Sequence, residues 1–258
     1  MSDQLDSIYE VARRSFLRSI RQPAAVVPAV IFPLFLLAVN SAGLDAATDL
    51  PGFPTDSYVT FALAIPFIQG GTFALLNSGT DLAVDIETGF MNRMAMTPLG
   101  GSSLLAGMLG GSMAVALIQT IFYIAMGFVV GADFAAGAAG IPMLFLLSLT
   151  ICFAFSCAGT FTALRLGNSE AMQSTFPIFF VFLFFSSMAM PRDLIEQDWF
   201  RFLATINPLS YLVEGIRSLY VFGFDWEALG LAFGISALLI AVFLSLATVS
   251  LRTTLVRT

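Results

Sequence analysis

Long uninterrupted apolar stretches constrain this sequence more than any other feature. A helix needs about 20 mostly apolar residues to cross the hydrocarbon core of a bilayer. Six stretches meet that length, at residues 24–43, 58–80, 103–131, 141–164, 171–190 and 228–250. None of them contains Asp, Glu or Arg away from its ends. Because the stretches are continuously apolar rather than alternating, the sequence predicts six transmembrane helices and disfavours a transmembrane β-barrel.

The scarcity of charge excludes a water-soluble globular domain. Charged residues make up 11% of the 258 residues and hydrophobic residues 58%, whereas soluble domains carry about 25% charged residues. The net charge of −6 argues against nucleic acid as a partner. The chain has no His, and its two cysteines, Cys152 and Cys157, lie in an apolar stretch. We therefore expect no catalytic residue, metal site or cofactor site in the chain itself.

Arginine predicts the orientation of the chain in the membrane. With the N-terminus inside, eight of the 11 basic residues, all Arg, lie on the cytoplasmic side and three lie outside. An excess of basic residues is typical of cytoplasmic segments, so the distribution favours this orientation. An even number of spans then places both termini in the cytoplasm of a multi-pass plasma-membrane protein. Arginine without lysine is typical of a GC-rich genome, so we expect a bacterial source.

Residues 3–21 predict an amphipathic helix at the inner membrane surface. Its apolar residues recur at helical spacing, and they are Leu5, Ile8, Tyr9, Ala12, Phe16 and Ile20. Arginines, among them Arg13 and Arg14, fall largely on the other sides of the helix. Such a helix can lie in the headgroup layer as an anchor. It can also contact a cytoplasmic partner, and the two interpretations are compatible.

Residues 81–102 form the longest predicted inner loop between spans. The polar residues there are Asp85, Glu87 and Arg93, and the apolar residues Ile86, Phe90 and Met94 repeat every four positions. A short helix with this repeat would expose an apolar ridge, and Pro98 disfavours helix at the residue before it. Such a ridge is a candidate docking surface, and a solvated surface turn is the alternative.

Residues 191–227 form the longest predicted outer segment. Asn207 and Pro208 predict a helix N-cap and first helical position. A helix from Pro208 to Tyr220 would be roughly 20 Å long, shorter than the hydrocarbon core of about 30 Å. We therefore predict a re-entrant or interfacial helix rather than a seventh span. Glu214 and Arg217 are three residues apart and are predicted to pair at a wet surface, where the pair would contribute little to stability. Pairing at membrane depth is the alternative.

Polar and aromatic residues within the spans are the candidates for a substrate path. Gln69 and Asn77 need hydrogen-bond partners or a water-lined path. The fifth predicted span is rich in phenylalanine and includes Phe176, Phe180 and Phe184. Lipid contact or internal packing is the default interpretation of these aromatic residues. An aromatic wall for an apolar substrate is the alternative.

The absence of ionisable residues inside the predicted spans bears on the energy source. Proton-coupled carriers usually need such a residue within the membrane, and the sequence has no GxxxxGK[ST] phosphate-binding loop. Active transport would therefore draw energy from another chain. A membrane-embedded enzyme is disfavoured because no acid–base pair lies in the spans. A non-transporting membrane anchor or assembly protein remains an alternative.

Two segments carry a family resemblance. Asn207–Arg217, NPLSYLVEGIR, has Asn-Pro-Leu-Ser-Tyr followed by an acidic residue and by Arg three positions later. Asp85–Pro98, DIETGFMNRMAMTP, has acidic residues, Gly89, a basic residue and Thr-Pro. With these motifs the chain resembles, over nearly its whole length, the membrane subunit of ABC-2-type (type V) exporters, and most closely the daunorubicin-resistance-like permeases. Thr88 departs from the pattern, because many members carry Arg or Lys there.

The resemblance implies an all-α fold in which residues 1–258 form one transmembrane domain, with short re-entrant outer helices before the last span. It implies pairing with a second permease copy or paralogue, and docking of a cytoplasmic ABC ATPase subunit that binds ATP and Mg. The implied coupling residues are Asp85, Glu87, Gly89, Phe90, Arg93, Met94 and Pro98, with Arg13 and Arg14. The implied outer-gate residues are Asn207, Pro208, Tyr211, Glu214 and Arg217.

The cargo is inferred from composition. The chain has 27 Phe against two Trp and five Tyr, which favours a hydrophobic or amphiphilic compound, a drug or a lipid. Export of a polysaccharide or a lipid-linked envelope component is the alternative. It is less favoured because such permeases usually offer a wider path with aromatic residues suited to sugars.

Overall fold

The structure is a computed structural model that describes Arg13, Leu17 and residues 23–91 and 101–256. These residues form helices joined by loops, and no strand occurs among them. The helices are α1 Pro23–Leu44, α2 Tyr58–Ala62, α3 Ala64–Glu87, α4 Gly101–Val129, α5 Gly137–Leu166, α6 Ser169–Ser174, α7 Phe176–Phe184, α8 Asp198–Ile206, α9 Pro208–Val221 and α10 Trp226–Val256. Short 3-10 helices lie at Asp45–Asp49 and Arg192–Leu194.

Five segments of the described chain are long and apolar enough to cross a membrane. They are Val27–Asp49, Tyr58–Glu87, Leu105–Val129, Gly137–Leu166 and Trp226–Leu251. They correspond to the first four predicted spans and the last, which confirms the all-α membrane fold. We call the end of the bundle at which α2, α5 and α10 begin the outer end, and the opposite end the inner end.

The second span runs further than the sequence predicted. It is interrupted at Leu63, because Pro66 has no N–H to donate to the carbonyl of Ala62. It then continues to Glu87, about two turns beyond the predicted end at residue 80. Asp85, which we predicted in a loop, is therefore buried in the last turn of α3.

The fifth predicted span is divided rather than continuous. α6 and α7 together cover Ser169–Phe184, roughly 24 Å of helix. The break lies at Thr175, two residues before Pro177, which has no N–H to donate to the carbonyl of Gln173. After Phe184 the chain leaves helical geometry, and residues 185–190 complete the path toward the outer end as irregular backbone.

Helix α5 lies at the centre of the bundle, between α3 and α10. Its approach to α3 is close because Gly159 has no side chain: a Cβ there would lie 2.1 Å from the carbonyl oxygen of Leu75. The Ser78 hydroxyl also donates to the carbonyl of Ser156, at 3.2 Å. Small residues and hydrogen bonds between helices are what drive association inside a bilayer, where apolar burial drives little.

Helices α8 and α9 form a hairpin that enters the bundle from the outer end. Its apex, Asn207–Leu209, borders the same cavity as Leu75, Ala154 and Phe243. Each of those three residues lies 17 positions after the first residue of its span, which is roughly 25 Å along the helix. The apex of the hairpin therefore lies near the middle of the long helices.

Candidate functional site

The irregular segment 185–190 needs hydrogen-bond donors, because its main-chain groups lie inside the bundle. An unsatisfied main-chain group at membrane depth costs several kcal/mol, so irregular backbone occurs there only when protein groups satisfy it. Helix α9 packs alongside this segment and supplies most of the donors.

Asn207 joins the apex of the hairpin to the end of α7. Its Nδ2 donates to the carbonyl oxygens of Phe182, at 2.6 Å, and Phe185, at 2.9 Å. Its Oδ1 accepts from the main-chain N–H of Leu209, at 3.0 Å. The predicted N-cap at Asn207 and the predicted first helical position at Pro208 are thus confirmed. One side chain caps α9 and also satisfies the C-terminal carbonyls of α7.

Arg217 joins three parts of the bundle. Its Nε donates to the carbonyl of Phe61, at 3.1 Å, and its two Nη atoms donate to those of Ser187, at 3.0 Å, and Met188, at 2.8 Å. Its guanidinium carbon lies 3.5 Å from the centroid of the Phe61 ring, and the residue is 4% exposed. The planar guanidinium, with donors in a fixed fork, suits several fixed acceptors at once.

Two further residues complete the arrangement. The Ser210 hydroxyl accepts from the main-chain N–H of Ser187, at 3.0 Å, and the Tyr58 hydroxyl donates to the carbonyl of Ala189, at 2.8 Å. Sequence reasoning did not single out either residue. Ser210 could have been found, since it lies inside the motif NPLSY, whereas Tyr58 carries no local signal. We call the hydrogen bonds of Asn207, Ser210 and Arg217 to residues 182–188 the outer lock.

The predicted pairing of Glu214 with Arg217 is wrong. The Glu214 carboxylate pairs instead with Arg192, at 2.7 Å, because α9 turns Arg217 inward to the buried carbonyls. Partial burial lowers the pKa of the Arg192 guanidinium, but the Glu214 carboxylate and Tyr211 raise it by more, so the pKa lies above its ordinary value. Tyr211 contributes its ring, 4.6 Å from the guanidinium. The predicted gate residues therefore make two separate groups of contacts. Asn207 and Arg217 bond to buried carbonyls, whereas Tyr211 and Glu214 contact Arg192.

A cavity of about 290 Å³ lies above the outer lock and is bordered by Phe61, Arg192, Glu214 and Arg217, with the exposed Asp225 among its other lining residues. The side chains of the outer lock bond to main-chain atoms. These bonds fasten α9 to the irregular segment that follows α7.

The described coupling residues lie at the inner end of α3. Glu87 accepts hydrogen bonds from the main-chain N–H of Ser169, at 2.8 Å, and from the Ser169 hydroxyl, at 3.1 Å. Gly89 ends the helix with φ +66°, a conformation that glycine adopts without strain. Phe90 is half-buried at the start of the next helical turn. Sequence reasoning missed the bond to Ser169, which ties the end of α3 to the start of α6.

Part of the predicted coupling surface lies outside the described residues. This applies to Arg14, Arg93, Met94 and Pro98, and to most of the predicted amphipathic helix at 3–21. Arg13 is described, and it is exposed in a helical position.

Of the residues predicted for a substrate path, the three phenylalanines pack in a row along α7, and they do not line a common cavity with Gln69 and Asn77 among the described residues. Gln69 is fully buried, and its amide has no hydrogen-bond partner within the described part of the chain. Asn77 borders a cavity of about 10 Å³ between α3 and α4, room for about one water molecule. Phe176 and Phe180 pack against each other, with ring centroids 5.0 Å apart, in a cluster with aromatic residues of α1 and α3. Phe184 faces the exterior.

Replacing Asn207 with Asp separates its two roles. Aspartate is as good an N-cap as asparagine, but it offers no N–H to the carbonyls of Phe182 and Phe185. We expect the free energy of unfolding to fall by about 3 kcal/mol, because buried acceptors lose their donor. Thermal unfolding of the detergent-solubilised protein measures the change.

Asn168→Asp is the matched control for this variant. Asn168 also caps a helix, accepting from the main-chain N–H of Ala171, but its Nδ2 makes only an exposed contact of 3.4 Å with the carbonyl of Leu166. We expect the control to unfold like the unsubstituted protein. Equal effects of the two variants would contradict the role assigned to the Asn207 amide.

Comparison with known proteins adds a family match. Residues 6–221 match the family described as ABC-2 type transporter, a range that includes the end of α3 and the whole outer lock. The chain is 30% identical over 227 residues to ycf38 of Porphyra purpurea, which is named as a transport permease, covering 86% of this chain and 76% of that protein. It is 29% identical over 231 residues to the daunorubicin resistance ABC transporter permease protein DrrB1 of Streptomyces coeruleorubidus, covering 86% of this chain and 77% of that protein.

Proposed function

Because the chain belongs to the ABC-2 type transporter family, we propose that it moves a hydrophobic or amphiphilic compound, a drug or a lipid, out of the cell. The family and the apolar helices make it a multi-pass membrane permease of an ABC transporter. In the proposal a separate cytoplasmic ATPase subunit binds ATP and Mg and hydrolyses the nucleotide. A second permease copy or a paralogue completes the membrane part. Both termini lie in the cytoplasm of a bacterial cell.

The outer lock is the observation that carries the proposal. Hydrogen bonds from the family-like motif Asn207–Arg217 fasten a re-entrant helix across the outer end of the bundle. A permease driven from the cytoplasm needs a closure on the far side that movement of its helices can release. The acceptors of Arg217 in the lock are neutral carbonyls. Arg217 can therefore leave them for other acceptors without the cost of separating a buried ion pair.

A continuous set of contacts leads from the inner end to this closure. The carboxylate of Glu87, at the end of α3, holds the N-terminus of α6 through Ser169. Helix α6 leads into α7, and the last carbonyls of α7 are held by Asn207 at the apex of the hairpin. In our proposal the ATPase subunit docks near residues 85–98 and the N-terminal helix. Its movement would displace α3, and α6 and α7 would carry the displacement to α9.

The apolar cargo is supported by composition and by a relative. Phenylalanine, with 27 residues, is far more abundant than Tyr or Trp. The relative DrrB1 is named for resistance to daunorubicin. Export of a polysaccharide or a lipid-linked component is the competing possibility.

Vesicle transport tests the function. The permease, co-expressed with its ABC ATPase subunit, is placed in inside-out vesicles with a hydrophobic fluorescent dye or a fluorescent phospholipid. We expect accumulation that requires ATP and does not occur with a non-hydrolysable analogue. Accumulation of a lipid-linked saccharide alone would contradict the cargo class. Stable assembly without ATP-dependent movement of any probe would favour the anchor or assembly role.

Replacing Phe90 with Asp tests the inner docking surface. A carboxylate in an apolar contact with the ATPase subunit would lose hydration without gaining a partner. We expect the stimulation of ATP hydrolysis by the permease to fall at least tenfold, while the thermal unfolding of the permease itself changes little. Phe90→Leu is the control and should keep most of the stimulation. Unchanged assembly and transport in Phe90→Asp would contradict docking at this position.

A further inference from the structure

We propose that a cleft beneath the apex of the hairpin binds an acyl chain of a membrane lipid. The cleft has a volume of about 260 Å³ and lies between α3, α5, α7, α9 and α10. Its lining includes Leu75, Ala158, Phe179, Leu239 and Phe243. We call it the apical cleft.

The described lining of the apical cleft offers no hydrogen bond from a side chain to a ligand. Among the described residues that line it, Asn207 is the one polar side chain. Both N–H groups of its amide are engaged by the carbonyls of Phe182 and Phe185, and its Oδ1 is engaged by the N–H of Leu209. A polar headgroup placed there would lose its hydration without compensation. The chemistry therefore selects hydrocarbon.

The depth of the cleft favours lipid over water as its occupant. Leu75, Ala154 and Phe243 lie roughly 25 Å from the outer ends of their spans. Water is disfavoured in a cavity whose one polar side chain already has its hydrogen bonds made, whereas acyl chains are present at that depth throughout the bilayer.

The mouth of the cleft is continuous with the lipid-facing surface. Phe182 borders the cleft and is 55% exposed. The flanking positions Ile178 and Val181 on α7, and Val242 on α10, are also exposed apolar residues. A chain can therefore enter sideways from the bilayer without crossing a polar surface.

The lining of the cleft favours a lipid chain over a transported drug. Sites for drug-sized ligands usually contain a few polar groups that fix the orientation of the ligand. The described side chains that line the apical cleft have no free polar group to offer. A bound chain would pack directly beneath Pro208 and Leu209, so the lipid would support the hairpin that carries the outer lock.

Photolabelling in a defined bilayer tests the proposal. The purified protein is placed in phosphatidylglycerol–phosphatidylethanolamine nanodiscs that contain phosphatidylethanolamine with a diazirine at the middle of one acyl chain. We expect labels on residues 179–182 and 239–243 to exceed, at least threefold, those on the exposed face of α4 at Ile118 and Ile121. Equal labelling of the two regions would overturn the proposal.

A pair of neighbouring substitutions gives the matched control. Leu239 lines the cleft and is half-buried, whereas Leu238 is 62% exposed and does not line it. Leu239→Trp should fill the cleft and lower its labelling at least fivefold, and Leu238→Trp should leave labelling unchanged. Equal effects of the two variants would contradict a bound chain in the cleft.

A second variant and a competition experiment complete the test. If Leu239→Trp fails to fold, Phe182→Ala widens the mouth at an exposed position and should increase labelling of residues 239–243. Unchanged labelling there would overturn the proposal.

An excess of the hydrophobic dye used for transport should not displace the label. Displacement would assign the cleft to transported compounds and overturn the lipid assignment. Labelling needs no ATPase subunit, so its outcome is independent of the transport test.

Discussion

Replacing Gly159 with Ala is expected to destabilise the bundle by about 3 kcal/mol or more, at the upper end of what overpacking costs. The added Cβ would lie 2.1 Å from the carbonyl oxygen of Leu75 and 2.7 Å from the Ser78 hydroxyl. A main-chain oxygen cannot rotate away, so α3 and α5 must separate. That separation also strains the hydrogen bond from Ser78 to the carbonyl of Ser156. Thermal unfolding in detergent and the yield of folded protein in membranes measure the effect.

Gly230→Ala is the control for the same chemical change. Gly230 lies within α10, and a Cβ there would meet nothing within 4 Å. Alanine is favoured over glycine inside a helix by up to about 1 kcal/mol, so the control should be neutral or slightly stabilising. The two variants should therefore shift the unfolding temperature in different directions. Equal shifts would show that α3 and α5 are not in close contact at Gly159.

Replacing Arg217 with Met is expected to lower the free energy of unfolding by about 3 kcal/mol or more, because three buried carbonyls lose a donor. Methionine fills much of the same volume but leaves the carbonyls of Phe61, Ser187 and Met188 without their donor. Each buried unsatisfied acceptor costs about 1–3 kcal/mol. We expect reduced thermal stability together with leakage of a small trapped dye from proteoliposomes, because the outer lock no longer closes.

Two controls distinguish the lock from a general effect of charge. Arg201 is exposed and pairs with Asp198 on the same helix, so Arg201→Met should change stability by no more than about 1 kcal/mol. Arg217→Lys keeps the charge, but one ammonium cannot replace a planar fork that reaches three carbonyls. Arg217→Lys should therefore restore little of the stability that Arg217→Met loses. Full restoration by lysine would indicate that charge, rather than geometry, is what the site requires.

The spans and the re-entrant helix could be predicted from the sequence because both depend on length and local composition. Apolar stretches of about 20 residues identify spanning helices, and the motif beginning Asn207-Pro208 marks a helix too short to span. The break at Thr175 could have been predicted from Pro177, but the end of α7 after Phe184 could not. The apolar residues continue through Phe184 and Phe185, so composition gives no sign that helical geometry ends there.

The partners of individual polar side chains were also beyond the sequence. Arg217 and Glu214 have the spacing of a helical pair, yet Arg217 bonds to a carbonyl 156 residues away in the chain. Glu87 likewise finds Ser169, 82 residues later. Helical periodicity states which residues share a face, but it does not state which main-chain groups the tertiary structure leaves in need of a donor.

The order of the outer lock along the chain has a consequence for biosynthesis. Its main-chain acceptors at Phe182, Phe185, Ser187 and Met188, and the Ser187 N–H that donates to Ser210, all precede α9 in sequence. A ribosome therefore releases every main-chain partner in the lock before it releases α9 and its N-cap. Helix α9 can dock as soon as it emerges, before α10 enters the membrane beside it.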